Sequence, residues 1–329
     1  EHTVECATYA APYLSRQPWA FLPQSLINQL HRAEENCEPL ANLADIFVGV
    51  QTSADNIYII HVDREDEDFV YSHEENGTEF QLEKGILRKS VYDAKLTSYE
   101  KITANSYIIF PYKEVDGKPK LYDIEEMENQ FPHAFEYLRR HKQALDRRNM
   151  PNRTELNWYA FGRSQSLRFM SGEHLVWPVL SLSSNYVYDD ELVVFTGGGN
   201  GPFYGLQMKQ NAQESIFYVQ AILNHWLMEL LVKSKASTFR GDYYSHGKQF
   251  IATLPIYRID YGNPSDVQKH DNIVEHVRTL MNLKNQANHA RNATEKTVFE
   301  RSINAVNDEL NTLIDALYQV EAQENGDEE

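Results

Sequence analysis

Residues 40–60 read LANLADIFVGVQTSADNIYII. Positions 45–50 form a short apolar run of β character. Positions 51–56 are polar, with turn chemistry at Ser53, Asp55 and Asn56, and 57–60 are a second β-branched and aromatic run. The pattern predicts strand, turn, strand, a hairpin whose polar tip displays Gln51, Thr52 and Ser53 on a rigid base. Amide and hydroxyl side chains so displayed can bond base edges or phosphates. An ordinary surface hairpin explains the same spacing.

Charge is the next constraint. The 329 residues carry a net charge of −17, the wrong sign for a simple nucleic-acid binder. The distribution is uneven: residues 84–168 hold 16 Lys/Arg against 11 Asp/Glu, while residues 1–83 hold 3 against 16 and residues 169–329 hold 12 against 21. Phosphate contact needs a local positive face rather than a basic whole, and the middle segment can supply one. Hydrophobic residues make up 42% of the chain, enough for a real core, and no apolar run approaches the ~20 residues of a membrane helix. Two cysteines, Cys6 and Cys37, argue against a disulfide framework and fit a reducing cytoplasm.

Within the basic segment, Arg88-Lys89 precedes a β-run. Residues 124–148 read as helical, broken at Pro132, and the second half carries Arg139, Arg140, Lys142, Arg147 and Arg148. Such a helix is either a phosphate-facing surface or a solvated one. Residues 157–169, NWYAFGRSQSLRF, set Trp158 and Tyr159 before a glycine turn at Gly162, with Arg163, Ser164 and Gln165 directly after it. Arg pairs with guanine O6 and N7, and Gln with adenine N6 and N7. Residues 233–244 mix Lys235, Arg240 and tyrosines in a stretch that contact and plain surface explain equally well.

Several of these stretches resemble one family. They are Gly49-Val50-Gln51-Thr52 between two β-runs; Tyr137, Leu138, Lys142, Leu145 and Arg148 in a YLxxxKxxLxxR pattern; Trp158, Tyr159, Arg163 and Gln165; Ala221-Ile222-Leu223-Asn224; and Leu254-Pro255-Ile256. Their order is similar to that of the TaqI-type C-terminal specificity domain, the target-recognition half of adenine-N6 DNA methyltransferases in type II restriction-modification systems, methylase–nuclease fusions and BREX-type phage defence. His225 stands where the family has a small Ser, and the second Pro of the closing edge strand is missing. The resemblance implies double-stranded DNA as partner. It implies phosphate or base contacts from Gln51, Thr52, Arg88, Lys89, Arg139, Arg140, Arg147, Arg148, Tyr159, Arg163, Gln165, Lys235 and Arg240. It also implies an N-terminal methyltransferase domain in the same parent chain, holding S-adenosylmethionine.

This sequence lacks the groups that chemistry needs. There is no glycine-rich cofactor loop after a strand and no Asn/Asp-Pro-Pro-aromatic loop for a flipped adenine. Asn263-Pro264-Ser265-Asp266 is better read as a turn and helix cap, and the glycine-rich residues 196–205, TGGGNGPFYG, lack the Lys-Ser/Thr of a phosphate cradle. Contact rather than catalysis is therefore expected, with no cofactor or metal in this segment.

The expected fold is mixed α/β (α+β): a docking segment over 1–38 with a helix near 24–37, a recognition domain over 39–262, an antiparallel helical hairpin over 263–320 and an acidic, disordered tail over 321–329. In the hairpin, positions 303, 306, 310, 313 and 317 make an a/d ladder. Two other functions remain open. The acidity suits a protein-interaction or DNA-mimicking module, and Asp93-Ala94-Lys95 echoes the end of a Mg-dependent nuclease motif.

Overall fold

A computed structural model describes residues 36–197, 202–236 and 239–320. The docking segment up to residue 35, its helix over 24–35 and the acidic tail lie outside the described residues.

The chain enters as β1 (Cys37–Pro39), turns through α1 (Leu40–Leu43) and becomes β2 (Ala44–Val48). Here the hairpin expectation fails. β2 pairs with a strand more than 150 residues away, and positions 55–58 are not a strand but a short helix, α2 (Asp55–Tyr58), leading into β3 (Ile59–Ile60) in a different sheet. The first run is a strand as read and the second only at Ile59 and Ile60, and the two are buried in separate sheets instead of pairing with each other.

An acidic three-stranded sheet follows: β4 (Arg64–Glu65), β5 (Phe69–His73) and β6 (Glu79–Glu83). Next come β7 (Leu87–Val91) and β8 (Ser106–Ile109), paired antiparallel. β9 (Tyr112–Val115) and β10 (Lys118–Leu121) form a hairpin, turned by Asp116 and Gly117 at φ 51° and 70°. That left-handed pair is the turn geometry that Asp-Gly favours.

The basic stretch forms three helices: α3 (Ile124–Gln130), α4 (Pro132–Arg140) and α5 (Lys142–Asp146). Pro132 is the first break, as expected, and sits at the first position of α4, where its missing N–H costs nothing. The Glu83 carboxylate accepts from His133 N at 2.7 Å and Ala134 N at 3.0 Å, satisfying donors at that helix start.

The remaining strands are β11 (His174–Pro178), β12 (Leu180–Ser181), β13 (Val187–Asp189), β14 (Val194–Phe195) and β15 (Phe203–Met208). β11 and β13 pair antiparallel, in a sheet of order β13-β11-β15-β2. β14 joins β7, β8 and β3 in the order β14-β7-β8-β3.

The sheet containing β2 lies between two cores. Its alternate residues point to opposite sides, so Ile46, Leu175, Trp177 and Leu206 belong to one core and Phe47, Val176, Val187 and Phe203 to the other. A sheet covered on both faces needs apolar residues at every position, which is why IFV in β2 shows no polar alternation.

The first core is completed by helices. The apolar stretch after β15 forms two helices, α6 (Ile216–Leu223) and α7 (Trp226–Lys235), broken at Asn224-His225. Asn224 turns inward to bond Tyr186 N and O, both at 2.9 Å. The ring of His225 accepts from Leu227 N as the N-cap of α7. Burial lowers the His225 pKa to about 4, so the ring is a neutral acceptor at physiological pH. His225 thus supplies the cap at this break.

β16 (Tyr244–Ser245) pairs with β12, and α8 (Lys248–Ile251) leads to β17 (Pro255–Tyr257), which closes on β1. α9 (Pro264–Asn288) and α10 (Ala293–Tyr318) are the expected hairpin. Asn263 caps α9 through Ser265 N at 3.0 Å. Leu310, Ile314, Leu317 and Tyr318 of α10 are buried in the first core. Polar ties fix the pair to it, among them Trp226 Nε1 to Asp315 at 2.9 Å, Lys284 Nζ to Ser98 O at 2.7 Å and Tyr318 Oη to Pro255 O at 2.8 Å. No helix among the described residues is long and apolar enough to cross a membrane.

Candidate nucleic-acid interface

The stretch from Gly49 to Ser53 is where the chain leaves the central sheet, and three segments meet on it. Val50 N donates to Phe195 O at 2.8 Å, and Gly197 N donates to Val50 O at 3.1 Å. On the other side Gly162 N donates to Thr52 O and Arg163 N to Gln51 O, both at 3.1 Å. Gly49 is required here, because a Cβ would lie 2.5 Å from the Thr196 carbonyl carbon and closer still to Phe195 O. Gly162 is required for the same reason, because its Cβ would meet the Ser53 side chain, with Ser53 Cβ at 2.8 Å. Ser53 itself is left-handed, at φ 58°. Residues 198–201 of the glycine-rich stretch lie outside the described residues.

This crossing brings together two sites far apart in sequence. Gln51 and Arg163 are direct backbone partners in an isolated antiparallel bridge. Arg163, Ser164 and Gln165 are exposed, Ser53 is exposed and Gln51 is half-buried. Further cations lie on the segments that adjoin these loops in sequence or by contact. Arg168 shares a small cleft with Gly117 and Pro119 of the β9–β10 hairpin, which also carries the exposed Lys118 and Lys120. Arg147 is exposed beside Arg148. Among the described residues, none of Arg147, Arg163, Arg168, Lys118 and Lys120 has a carboxylate within ion-pair distance. Sequence reasoning passed over Arg168, Lys118 and Lys120. The signal that could have found them is the Asp116-Gly117 pair, which favours a tight hairpin turn with Lys118 and Lys120 directly behind it.

The other predicted contacts fall into two groups. Thr52 and Tyr159 are buried and Arg148 is half-buried, and the polar groups of all three are bonded within the fold. Thr52 is fully buried and its hydroxyl bonds Asp55. Tyr159 is fully buried, with its hydroxyl donating to Tyr122 O at 2.6 Å. Arg148 turns inward and gives three bonds to carbonyls: Nε to Leu145 O at 3.0 Å, Nη1 to Thr52 O at 2.7 Å and Nη2 to Trp158 O at 2.7 Å. Arg88 is similarly engaged, with Nη1 on Met170 O at 3.2 Å and its guanidinium 4.5 Å from the Phe110 ring centroid. Burial, the main influence on it, lowers its pKa.

The second group is on the surface but neutralised. Lys89 pairs with Glu191 at 3.0 Å, Arg139 with Glu128 at 2.6 Å and Arg140 with Glu74 at 2.8 Å. Hydrogen bonding to Glu191 raises the Lys89 pKa. Exposed pairs of this kind hold weakly, by about 0–1 kcal/mol, and can exchange a carboxylate for a phosphate. Lys235 closes α7 and Arg240 is exposed in the turn after it, beside the first core rather than at the crossing.

The acidic sheet has a different character. A groove of 610 Å³ between it and α4–α5 is lined by Asp55, Glu74 and Glu75 with His61, His73 and His141. No three His, Cys, Asp or Glu side chains among the described residues converge as a metal site. Asp93 and Lys95, the suggested nuclease pair, are exposed in a loop.

No protein-family model matches the chain. Its homologues are type II restriction-modification methyltransferases. It is 27% identical over 327 residues to the type II restriction enzyme and methyltransferase RM.Eco57I of Escherichia coli, covering 95% of this chain and 32% of that protein. It is 23% identical over 263 residues to the type II methyltransferase M.BanIII of Aneurinibacillus aneurinilyticus, covering 78% of this chain and 42% of that protein. Over 160 residues it is 29% identical to the type II methyltransferase M.HindII of Haemophilus influenzae, 47% of this chain and 30% of that protein. The chain therefore spans less than half the length of these relatives.

Proposed function

We propose that the chain is the DNA target-recognition part of a restriction-modification adenine-N6 methyltransferase, acting by contact within a longer protein. Residues 39–262 form the recognition unit, and the α9–α10 hairpin anchors it to the catalytic half, which binds S-adenosylmethionine. The reading is carried by the Gln51–Arg163 bridge, which sets an amide and a guanidinium side by side on exposed loops. Both groups match purine edges in the major groove. Exposed cations without a carboxylate partner, Arg147, Arg168, Lys118 and Lys120, supply phosphate contacts that fix register. The acidic sheet faces away from the duplex, since its carboxylates would repel phosphate.

The alternative of a DNA-mimicking module draws on the acidic groove, and salt separates the two. Recognition predicts that the whole natural protein binds a 30-base-pair duplex with a log–log salt slope of roughly −3 to −5, for about 0.9 per phosphate across three to five contacts. A DNA mimic would bind no duplex at any salt concentration.

A further inference from the structure

The loop that presents Arg163 has no helix or strand of its own between Trp158 and Gly162, yet its main chain is tied to other segments at five points. Trp158 O accepts from Arg148 Nη2 at 2.7 Å, and Tyr159 O from the Tyr58 hydroxyl at 2.8 Å. Phe161 N donates to Tyr112 Oη at 2.7 Å. Gly162 N and Arg163 N donate to Thr52 O and Gln51 O. Irregular backbone so thoroughly satisfied has one conformation rather than many.

Arg148 stands out in this set because it bonds both loops at once. Its Nη1 holds Thr52 O in the first loop, and its Nη2 holds Trp158 O in the second. Its Nε returns to Leu145 O, tying both to the end of α5. Guanidinium is the side chain suited to this, being a rigid planar fork of five donors. Lysine keeps the charge but is a single point donor that cannot span the same carbonyls.

We propose that Arg148 is a positioning residue for base discrimination, fixing the distance between Gln51 and Arg163 without touching DNA. The inference rests on the DNA-recognition reading. Two neighbouring arginines of the basic stretch then have separate roles. Arg147 faces out for phosphate, and Arg148 faces in to set the reading geometry. Recognition groups must be held within about 0.5 Å to work, so loosening this clamp costs selectivity before it costs general affinity.

The test is selection by the whole natural protein from a pool of duplexes with a randomised centre, followed by binding to the enriched and an unselected duplex. In Arg148→Lys the preference for the enriched duplex is expected to fall about tenfold, the effect of a misplacement well under 1 Å. Affinity for the unselected duplex, and its salt slope, should stay as in the wild type, because the charge is kept. Tyr112→Phe, which removes only the acceptor for Phe161 N, should lower the preference severalfold and serves as the deciding variant should Arg148→Lys fail to fold. A purely structural role would lower the melting temperature and leave the preference intact. If the wild type enriches a consensus and the folded variants keep the same preference, the inference is overturned and the DNA reading survives. If the wild type enriches nothing, both fall.

Discussion

Arg163→Ala is expected to weaken binding to the preferred duplex about tenfold to a hundredfold, from the ~1–3 kcal/mol that a good bidentate base contact contributes. Arg163 projects from a loop whose backbone is fixed by Gln51, it is exposed, and it has no carboxylate partner among the described residues. Truncation therefore removes a free guanidinium and leaves no buried group unsatisfied, so the fold should be unaffected. Discrimination should relax at one or two positions of the target while affinity for unselected duplex changes little. Arg139→Ala is the comparison. Its guanidinium already pairs with Glu128 at 2.6 Å, so its loss should alter binding less than threefold. Titration of a labelled duplex by fluorescence anisotropy reads both effects. Equal, small losses in the two variants would remove Arg163 from the reading role.

Gly49→Ala is expected to destabilise the chain by about 3 kcal/mol, the upper range for overpacking a site that cannot give way. The obstacle is main chain: the new methyl would sit 2.5 Å from the Thr196 carbonyl carbon and 2.7 Å from its oxygen. Moving those atoms breaks the bonds from Val50 to Phe195 and from Gly197 to Val50, and those bonds hold the crossing. The damage should therefore spread to the Gln51 loop. Urea denaturation measures it as a lowered midpoint. Gly117→Ala provides the scale, because it too disturbs a glycine, at φ 70°, but meets nothing within 4 Å. Its cost should be about 1 kcal/mol, from backbone strain alone. Equal midpoints for Gly49→Ala and the wild type would show that the crossing is looser than these distances imply.

Much of the architecture was legible because its signals are local. The helical hairpin follows from the a/d ladder ending at Leu317, the β9–β10 turn from Asp116-Gly117, and the first helix break from Pro132. The mistakes arose where the decisive partner is remote. β2 and the run at 57–60 look like a hairpin because both are β-like and separated by turn residues. Each instead finds a strand elsewhere, β15 for one and β8 for the other, and periodicity carries no information about that choice. Arg148 lies in the most basic stretch of the chain, which suggests an outward role. Its carbonyl partner Thr52 is 96 residues away, and charge counts do not reveal such a distant acceptor. The break at Asn224-His225 is hidden in a run that is apolar throughout, since only the inward bonds of Asn224 end the first helix. For the interface, residue types alone pointed to the neighbourhood of 158–165. They could not separate Tyr159, whose hydroxyl is consumed by Tyr122 O, from Arg163, whose guanidinium is free of carboxylates.

The most direct measurement is site-specific photo-crosslinking in the whole natural protein, with the probe placed either at Ser164 in the Arg163 loop or at Glu67 on the acidic sheet, both exposed. Irradiation with duplex DNA is predicted to give a crosslink from position 164 that disappears at high salt, and none from position 67. DNA captured from position 67, or from neither position while the protein still binds duplex, would contradict the assignment of the Gln51–Arg163 crossing as the surface that reads DNA.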